Sequence, residues 1–318
     1  DMYAAWCSIL NGEKMIDGFI NVYKEQGFTS LDVVAKLRGI LKQKKIGHTG
    51  TLDPMAEGVL LVCLGRATKL SEMLTDKDKK YRCTMKLGIR SDTEDITGSL
   101  TYSDEPVPGE AEIRSAVKFY EGEYDQIPPM YSAIKVNGKK LYELARNGQV
   151  IERQPRRVHI YSIDNIKVDG AGVMFDVHCS KGTYIRSLCR DIGDKLGCGA
   201  VMEALVRTSV REFDIKDSVT LGEIESLRDR GELDSHVYGL DYFLNEYASL
   251  TVNSKGQRFL ANGNKLSPDM FTDIVAARNG LELSGSIVRI YDGSGEFTAL
   301  YTADTEQECY RAYKMFLT

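Results

Sequence analysis

The sequence predicts an α+β fold, with a mixed, largely antiparallel sheet, flanking helices and a small β-rich, barrel-like module after it. Three observations carry this. Tyr81, Cys83, Met85 and Leu87 alternate with polar residues, as in a half-buried strand. Val33, Val34, Leu37 and Leu41 recur at helical spacing with lysines between them. Beyond residue 248 the pairs Asn262-Gly263, Asn279-Gly280 and Asp292-Gly293 punctuate short β-like runs.

In chain order, residues 18–23 read as a strand, and the helix after them is N-capped by Thr29 or Ser30 with Asp32 in its first turn. A loop of small and polar residues, 47–58, runs into an apolar strand at 59–64. Residues 92–109 read as an acidic, turn-rich surface excursion and 109–120 as a helix. Residues 131–136 look extended, and 139–146 is a short helix stopped at Asn147-Gly148. Strands at 157–168 and 173–179 flank a turn, and 184–196 fits a helix closed at Gly197, weakened by Gly193. β structure follows at 206–215, then a helix at 221–230. The expected units are a leader or extension (1–14), a large domain (15–247) and the β-rich module (248–318).

With 42% apolar and 27% charged residues among 318, the composition is that of a globular protein. No apolar run approaches the ~18 residues that cross a bilayer, and residues 1–14 lack the basic and apolar regions of a secretory signal. Seven cysteines without a CxxC pair or zinc-site spacing read as reduced thiols of a cytoplasmic protein. The net charge of −5 hides an asymmetry. Residues 36–45 hold five basic side chains and no acidic one, whereas 92–125 hold ten acidic against two basic. A basic face opposite an acidic one is compatible with a polyanionic partner, although charge runs are more often only solvated surface.

The densest candidate for chemistry is Gly47-His48-Thr49-Gly50-Thr51-Leu52-Asp53-Pro54-Met55-Ala56-Glu57-Gly58. Its glycines and proline force an irregular backbone, and irregular loops on rigid strands concentrate function. The lysine and hydroxyl of a Walker loop are missing. A GXXG nucleic-acid clamp at 47–50 is a short and common pattern. A glycosidase pair of Asp53 and Glu57 is left uncertain by Pro54 between them.

Taken with the segments around it, this loop resembles the signature of the TruB family of tRNA pseudouridine synthases. Gly47–Pro54, Gly58-Val59-Leu60 and Gly65-Arg66-Ala67-Thr68-Lys69 match in register. Lys80-Tyr81, the run 126–135 (QIPPMYSAIK), 180–188 (SKGTYIRSL) and 205–208 follow in the same order, so the likeness spans about residues 15–215. Gln257–Gly263 and 286–293 are more weakly similar to the PUA-type RNA-binding module that follows the catalytic domain in this family. The resemblance implies isomerisation of uridine to pseudouridine at position 55 in the T-stem-loop of tRNA, without metal or organic cofactor. It implies Asp53 as the catalytic carboxylate, Arg186 as its guanidinium partner, Tyr81 against the flipped uracil and Tyr184 beside the base or Asp53. His48 matches the residue that inserts into the RNA loop, Leu205 an apolar wall, and Gly50 and Thr51 belong to the same RNA-binding loop. Lys44 and Lys45 stand where they would hold phosphates. A cytoplasmic monomer acting without guide RNA is the expected form. Guide-RNA-dependent relatives usually carry extensions and basic tails that this sequence lacks, and an intact Asp53, Arg186 and Tyr81 set weighs against a purely RNA-folding role.

Overall fold

A computed structural model describes residues 15–75, 78–136 and 138–317. The leader, 1–14, lies outside the described residues, as does Cys7; the other six cysteines are free and buried.

The strands are β1 (Gly18–Lys24), β2 (Ile46–His48), β3 (Glu57–Leu64), β4 (Lys79–Leu87), β5 (Ile89–Ser91), β6 (Leu100–Tyr102), β7 (Gly122–Gln126), β8 (Lys135–Val136), β9 (Lys139–Lys140), β10 (Arg156–Asp169), β11 (Gly172–Cys179), β12 (Ala200–Val210), β13 (Phe213–Asp214), β14 (Val237–Tyr238), β15 (Ala248–Thr251), β16 (Ile287–Tyr291), β17 (Phe297–Asp304) and β18 (Cys309–Met315). One sheet runs β14–β1–β3–β12–β4–β11–β10–β7, with β2 on β3 and β13 on β12. Every pairing in it is antiparallel except β3 with β12. β5/β6 and β8/β9 are separate hairpins.

β1 and β3 bury apolar side chains on both of their faces. Val33, Val34 and Leu37 of the helix Ser30–Ile40 pack on one face with Ile20, Val22, Leu60 and Val62, while Phe19, Val59, Leu61 and Cys63 face the other way. That helix starts at Thr29. Its hydroxyl accepts from the Asp32 amide at 3.0 Å while the Asp32 carboxylate accepts from the Thr29 amide at 2.8 Å. Strands β4, β10, β11 and β12 form the second main core with the helix Ile185–Lys195. Gly193, a weak helix former, is needed there, because a Cβ on it would lie 2.1 Å from the Ala200 nitrogen.

The 92–109 excursion is only partly on the surface. Glu94 and Asp95 are 7% and 5% exposed, because the Ile96 amide donates to Met202 O and the Met202 amide to Glu94 O, pinning this turn to the end of β12. Of 131–136, only β8 is strand.

In the last module β15 pairs parallel with β16, and β17 and β18 follow antiparallel. Single bridges join Phe271 to Val252 beside β15, and Leu266 to Tyr310 in β18, so residues 266–271 link both edges of the sheet. The module has its own core around Val252, Leu260, Tyr301 and Tyr310. It is not free of the larger domain, however. Phe297, Leu300 and Phe316 are buried with Phe19, Leu61, Leu70 and Phe243. Arg66 reaches Phe316 O, and Lys69 Nζ donates to Met315 O at 2.6 Å. Burial of such side chains stabilises by roughly 1.5–3 kcal/mol each. A chain ending at residue 247 should therefore melt at least about 10 °C lower than the full chain. A calorimetric scan checks this, and a loss under about 5 °C would mean the seam contributes little.

Candidate active site

Residues 49–56 leave the sheet after β2 and return at β3, and their ends are anchored from several sides. Leu52 and Ala56 are buried in the core beneath β4 and β12. The Leu52 amide donates to Ser30 Oγ at 2.9 Å, and the Gly27 amide donates to Pro54 O at 2.8 Å. Lys24, 0% exposed, donates from Nζ to Phe28 O at 2.6 Å, Glu25 O at 3.1 Å and Pro54 O at 3.3 Å. Burial lowers the Lys24 ammonium to about 8, against the opposing pull of Asp53. With both neighbouring anchors inside the protein, the side chain of Asp53 stands out of the turn, 36% exposed.

Arg186 is the partner of Asp53. It is the second residue of the helix Ile185–Lys195, which starts at Tyr184. Gln126, 1% exposed, holds that start: its Oε1 accepts from the Tyr184 amide at 2.8 Å and its Nε2 donates to Tyr184 O at 3.0 Å. The Arg186 guanidinium is 95% buried, with Nε 2.9 Å from Asp53 Oδ2 and Nη2 donating to Oδ1 at 3.3 Å. The Nε contact is a close charge approach but badly aligned as a hydrogen bond, since this atom has no bonded acceptor. Nη1 donates to Thr93 O at 3.0 Å and Nη2 to Tyr131 O at 2.9 Å, and Asp95 Oδ2 lies 3.8 Å from Nη1. One planar cation thus joins the Asp53 loop to the acidic turn and to the segment after Met130.

Tyr81 lies in β4, and Leu205 and Arg207 lie opposite Cys83 and Tyr81 on β12. Bulges on either side, between Met202 and Ala204 and between Arg207 and Ser209, set these side chains toward the loop. Burial pushes the Tyr81 phenol up to about 12, with the nearby Arg207 cation opposing it, so Tyr81 is a neutral phenol at physiological pH. Tyr184 is likewise raised, by burial above all. Leu205 is 6% exposed and forms the apolar wall expected of it. His48 is half-buried at the end of β2. Its Nδ1 accepts from the Gly50 amide at 3.3 Å, and burial first, then Arg207, lowers its pKa, so it stands neutral at pH 7. Thr51, Lys44 and Lys45 are exposed, and Gly50 is half-buried.

The structure therefore brings Asp53, Arg186, Tyr81, Tyr184, His48 and Leu205 around one loop, from positions up to 157 residues apart. Reading the sequence missed Lys24, Gln126, Glu94, Asp95 and Arg207. A lysine closing an otherwise apolar strand was a visible signal for Lys24. The others look like surface residues until the strands are paired.

The Asp53–Arg186 pair is the arrangement that a carboxylate nucleophile requires: fixed by a guanidinium and open to a ligand on one side. Two family models match the chain in tandem, the TruB family pseudouridylate synthase N-terminal domain over 38–185 and the tRNA pseudouridylate synthase B C-terminal domain over 186–245. The tRNA pseudouridine synthase B of Lachnoclostridium phytofermentans is 49% identical over 311 residues, 95% of this chain and 100% of the relative. That of Alkaliphilus oremlandii is 45% identical over 280 residues, 88% of this chain and 93% of the relative. Among solved structures, a chain of a Cbf5-Nop10-Gar1 complex superposes with a TM-score of 0.69 at 27% identity, covering 94% of this chain and 85% of that one.

Proposed function

The chain belongs to the TruB family and isomerises uridine to pseudouridine in tRNA; on that premise we propose that it acts at position 55 of the T-stem-loop through Asp53. The observation that carries the assignment is the half-exposed Asp53 carboxylate held by the buried Arg186 guanidinium beside a buried tyrosine. The reaction breaks the N1–C1′ bond, turns the uracil and joins C5 to C1′, with loss of the C5 proton and gain of a proton at N1. It needs an ionised carboxylate, a stacking surface for the base and exclusion of water; it needs no redox step, and we assign it no metal or organic cofactor.

The target base must leave its stack, at a cost of a few kcal/mol, before Asp53 reaches it. Tyr81 and Leu205 then form the walls that receive it, and Tyr184 borders Asp53. A neutral His48 enters the space that the base vacates and stacks without the cost of burying a charge. Because Tyr81 is a neutral phenol, it enters the reaction as a stacking platform and hydrogen-bond donor.

Lys44 and Lys45, exposed just before β2, hold phosphates of the T-arm, and Gly50 and Thr51 border the same RNA path. The segment 248–318 is a PUA-like RNA-binding module that adds contacts by shape and hydrogen bonds, and the working form is a cytoplasmic monomer independent of guide RNA. Replacing Lys44 and Lys45 by alanine should weaken tRNA binding and reduce the slope of log K against log salt by about 0.7–0.9 for each lost contact. Titrations at several salt concentrations check this; an unchanged slope would remove both lysines from the RNA path. Incubating the protein with an unmodified tRNA transcript and mapping pseudouridine, with and without added guide RNA, tests the assignment as a whole. Modification elsewhere than position 55, or only with guide RNA, would overturn it.

A further inference from the structure

Arg207 is 1% exposed, and the titratable side chain that acts on it is the Tyr81 phenol, which it also hydrogen-bonds, and not a carboxylate. An isolated buried cation is costly, and chains normally pair it with an anion or replace it by an apolar residue. Here its donors go to the backbone of the Asp53 loop. Nη2 donates to Gly50 O at 3.2 Å, Nη1 to Thr51 O at 3.4 Å and Nε to Val59 O at 2.6 Å. Two of these acceptors precede Asp53 and one follows it, so a single rigid fork closes the base of the loop. The main chain of Arg207 is drawn in as well. It pairs with Gly58, which takes φ +99°, and a Cβ on Gly58 would meet Arg207 O at 2.3 Å. Across the sheet Arg207 stands opposite Tyr81, and its charge also reaches His48 and Lys24.

We propose that Arg207 is a positioning residue for the isomerisation: it sets the separation of the two ends of the Asp53 loop and orients the Tyr81 hydroxyl. This rests on the reading of Asp53 as the catalytic carboxylate. Its role is distinct from that of Arg186, which grips the carboxylate itself, whereas Arg207 grips the backbone on either side of it. An aspartate displaced by about 1 Å loses on the order of a hundredfold in rate while the rest of the RNA surface is unchanged.

The test compares Arg207→Met and Arg207→Lys with Asp53→Asn in single-turnover assays on a T-arm stem-loop, with RNA affinity and melting temperature measured on the same samples. Methionine fills similar volume without donors; it leaves Gly50 O, Thr51 O and Val59 O without theirs, so Arg207→Met should melt several degrees lower yet stay folded at the assay temperature. Its chemical step should nevertheless fall roughly a hundredfold, with RNA affinity within about threefold. Arg207→Lys keeps the charge and one donor and should recover part of that loss. A chemical step within about threefold of native in Arg207→Met would overturn the inference. So would a loss explained by unfolded protein at the assay temperature, or failure of both variants to fold, since Arg207 would then be a folding residue only. An active Asp53→Asn would instead sink the underlying assignment of the loop.

Discussion

Replacing Asp53 by asparagine is expected to abolish isomerisation while leaving tRNA affinity within about tenfold of native. The substitution is nearly isosteric, and half-exposed Asp53 closes no core, so the fold has no reason to change. What disappears is the charged oxygen to which the proposal gives the bond-breaking step. A group that works on the barrier shows its loss in the chemical rate and not in ground-state grip. The amide would still accept from Arg186, so that guanidinium stays where it is. Single-turnover measurement at saturating tRNA, with a parallel binding titration, separates the two effects. Residual turnover above about 1% of native would remove Asp53 from the nucleophile's role.

Replacing Arg186 should produce the next largest effect, and it should differ between two variants. In Arg186→Ala the buried Asp95 loses the cation 3.8 Å from it, and Thr93 O and Tyr131 O lose their donors. Removing one partner from such a buried network costs about 3–5 kcal/mol, and melting should fall by about 10 °C. Arg186→Lys keeps the charge but offers a single point where the guanidinium meets Asp53, Thr93 and Tyr131 at once. Its expected signature is a chemical step slowed about a hundredfold or more, with tRNA affinity nearly native. If Arg186→Lys keeps more than about a tenth of the native rate, the fork geometry is not what orients Asp53.

The two variants also separate positioning from folding. Alanine should lower stability and rate together, whereas lysine should lower rate with a smaller loss of stability. Melting curves and single-turnover rates on the same preparations give both quantities.

Much of the catalytic assembly was legible because its members sit in local signals. The irregular run at 47–58, the capping residues at Thr29 and Asp32, the alternation through Tyr81 and the helix start at Tyr184 are features of sequence neighbours, each governed by backbone sterics or a short periodicity. The β-rich module read from the sequence starts at 248, and β15 begins at Ala248. The acidic stretch at 92–125 was read as surface because its charge is evident and its partners are not. Glu94 and Asp95 are inside because Arg190, Ser187 and Arg186 reach them from a helix more than ninety residues away. The module was read as a unit of its own for the same reason: nothing in the chain beyond 248 announces that Phe297, Leu300 and Phe316 complete a core begun by Phe19 and Leu61.

The sequence by itself marked many of the elements, the loop at 47–58, and Asp53, Arg186, Tyr81 and Tyr184 as the candidate side chains around it. Only the tertiary structure decided how that loop is held: by Lys24 through Pro54 O, and by Arg207 through Gly50, Thr51 and Val59. The physical reason is that these contacts are made to backbone carbonyls distant in sequence. Such acceptors are present at every residue and carry no mark in the side-chain sequence.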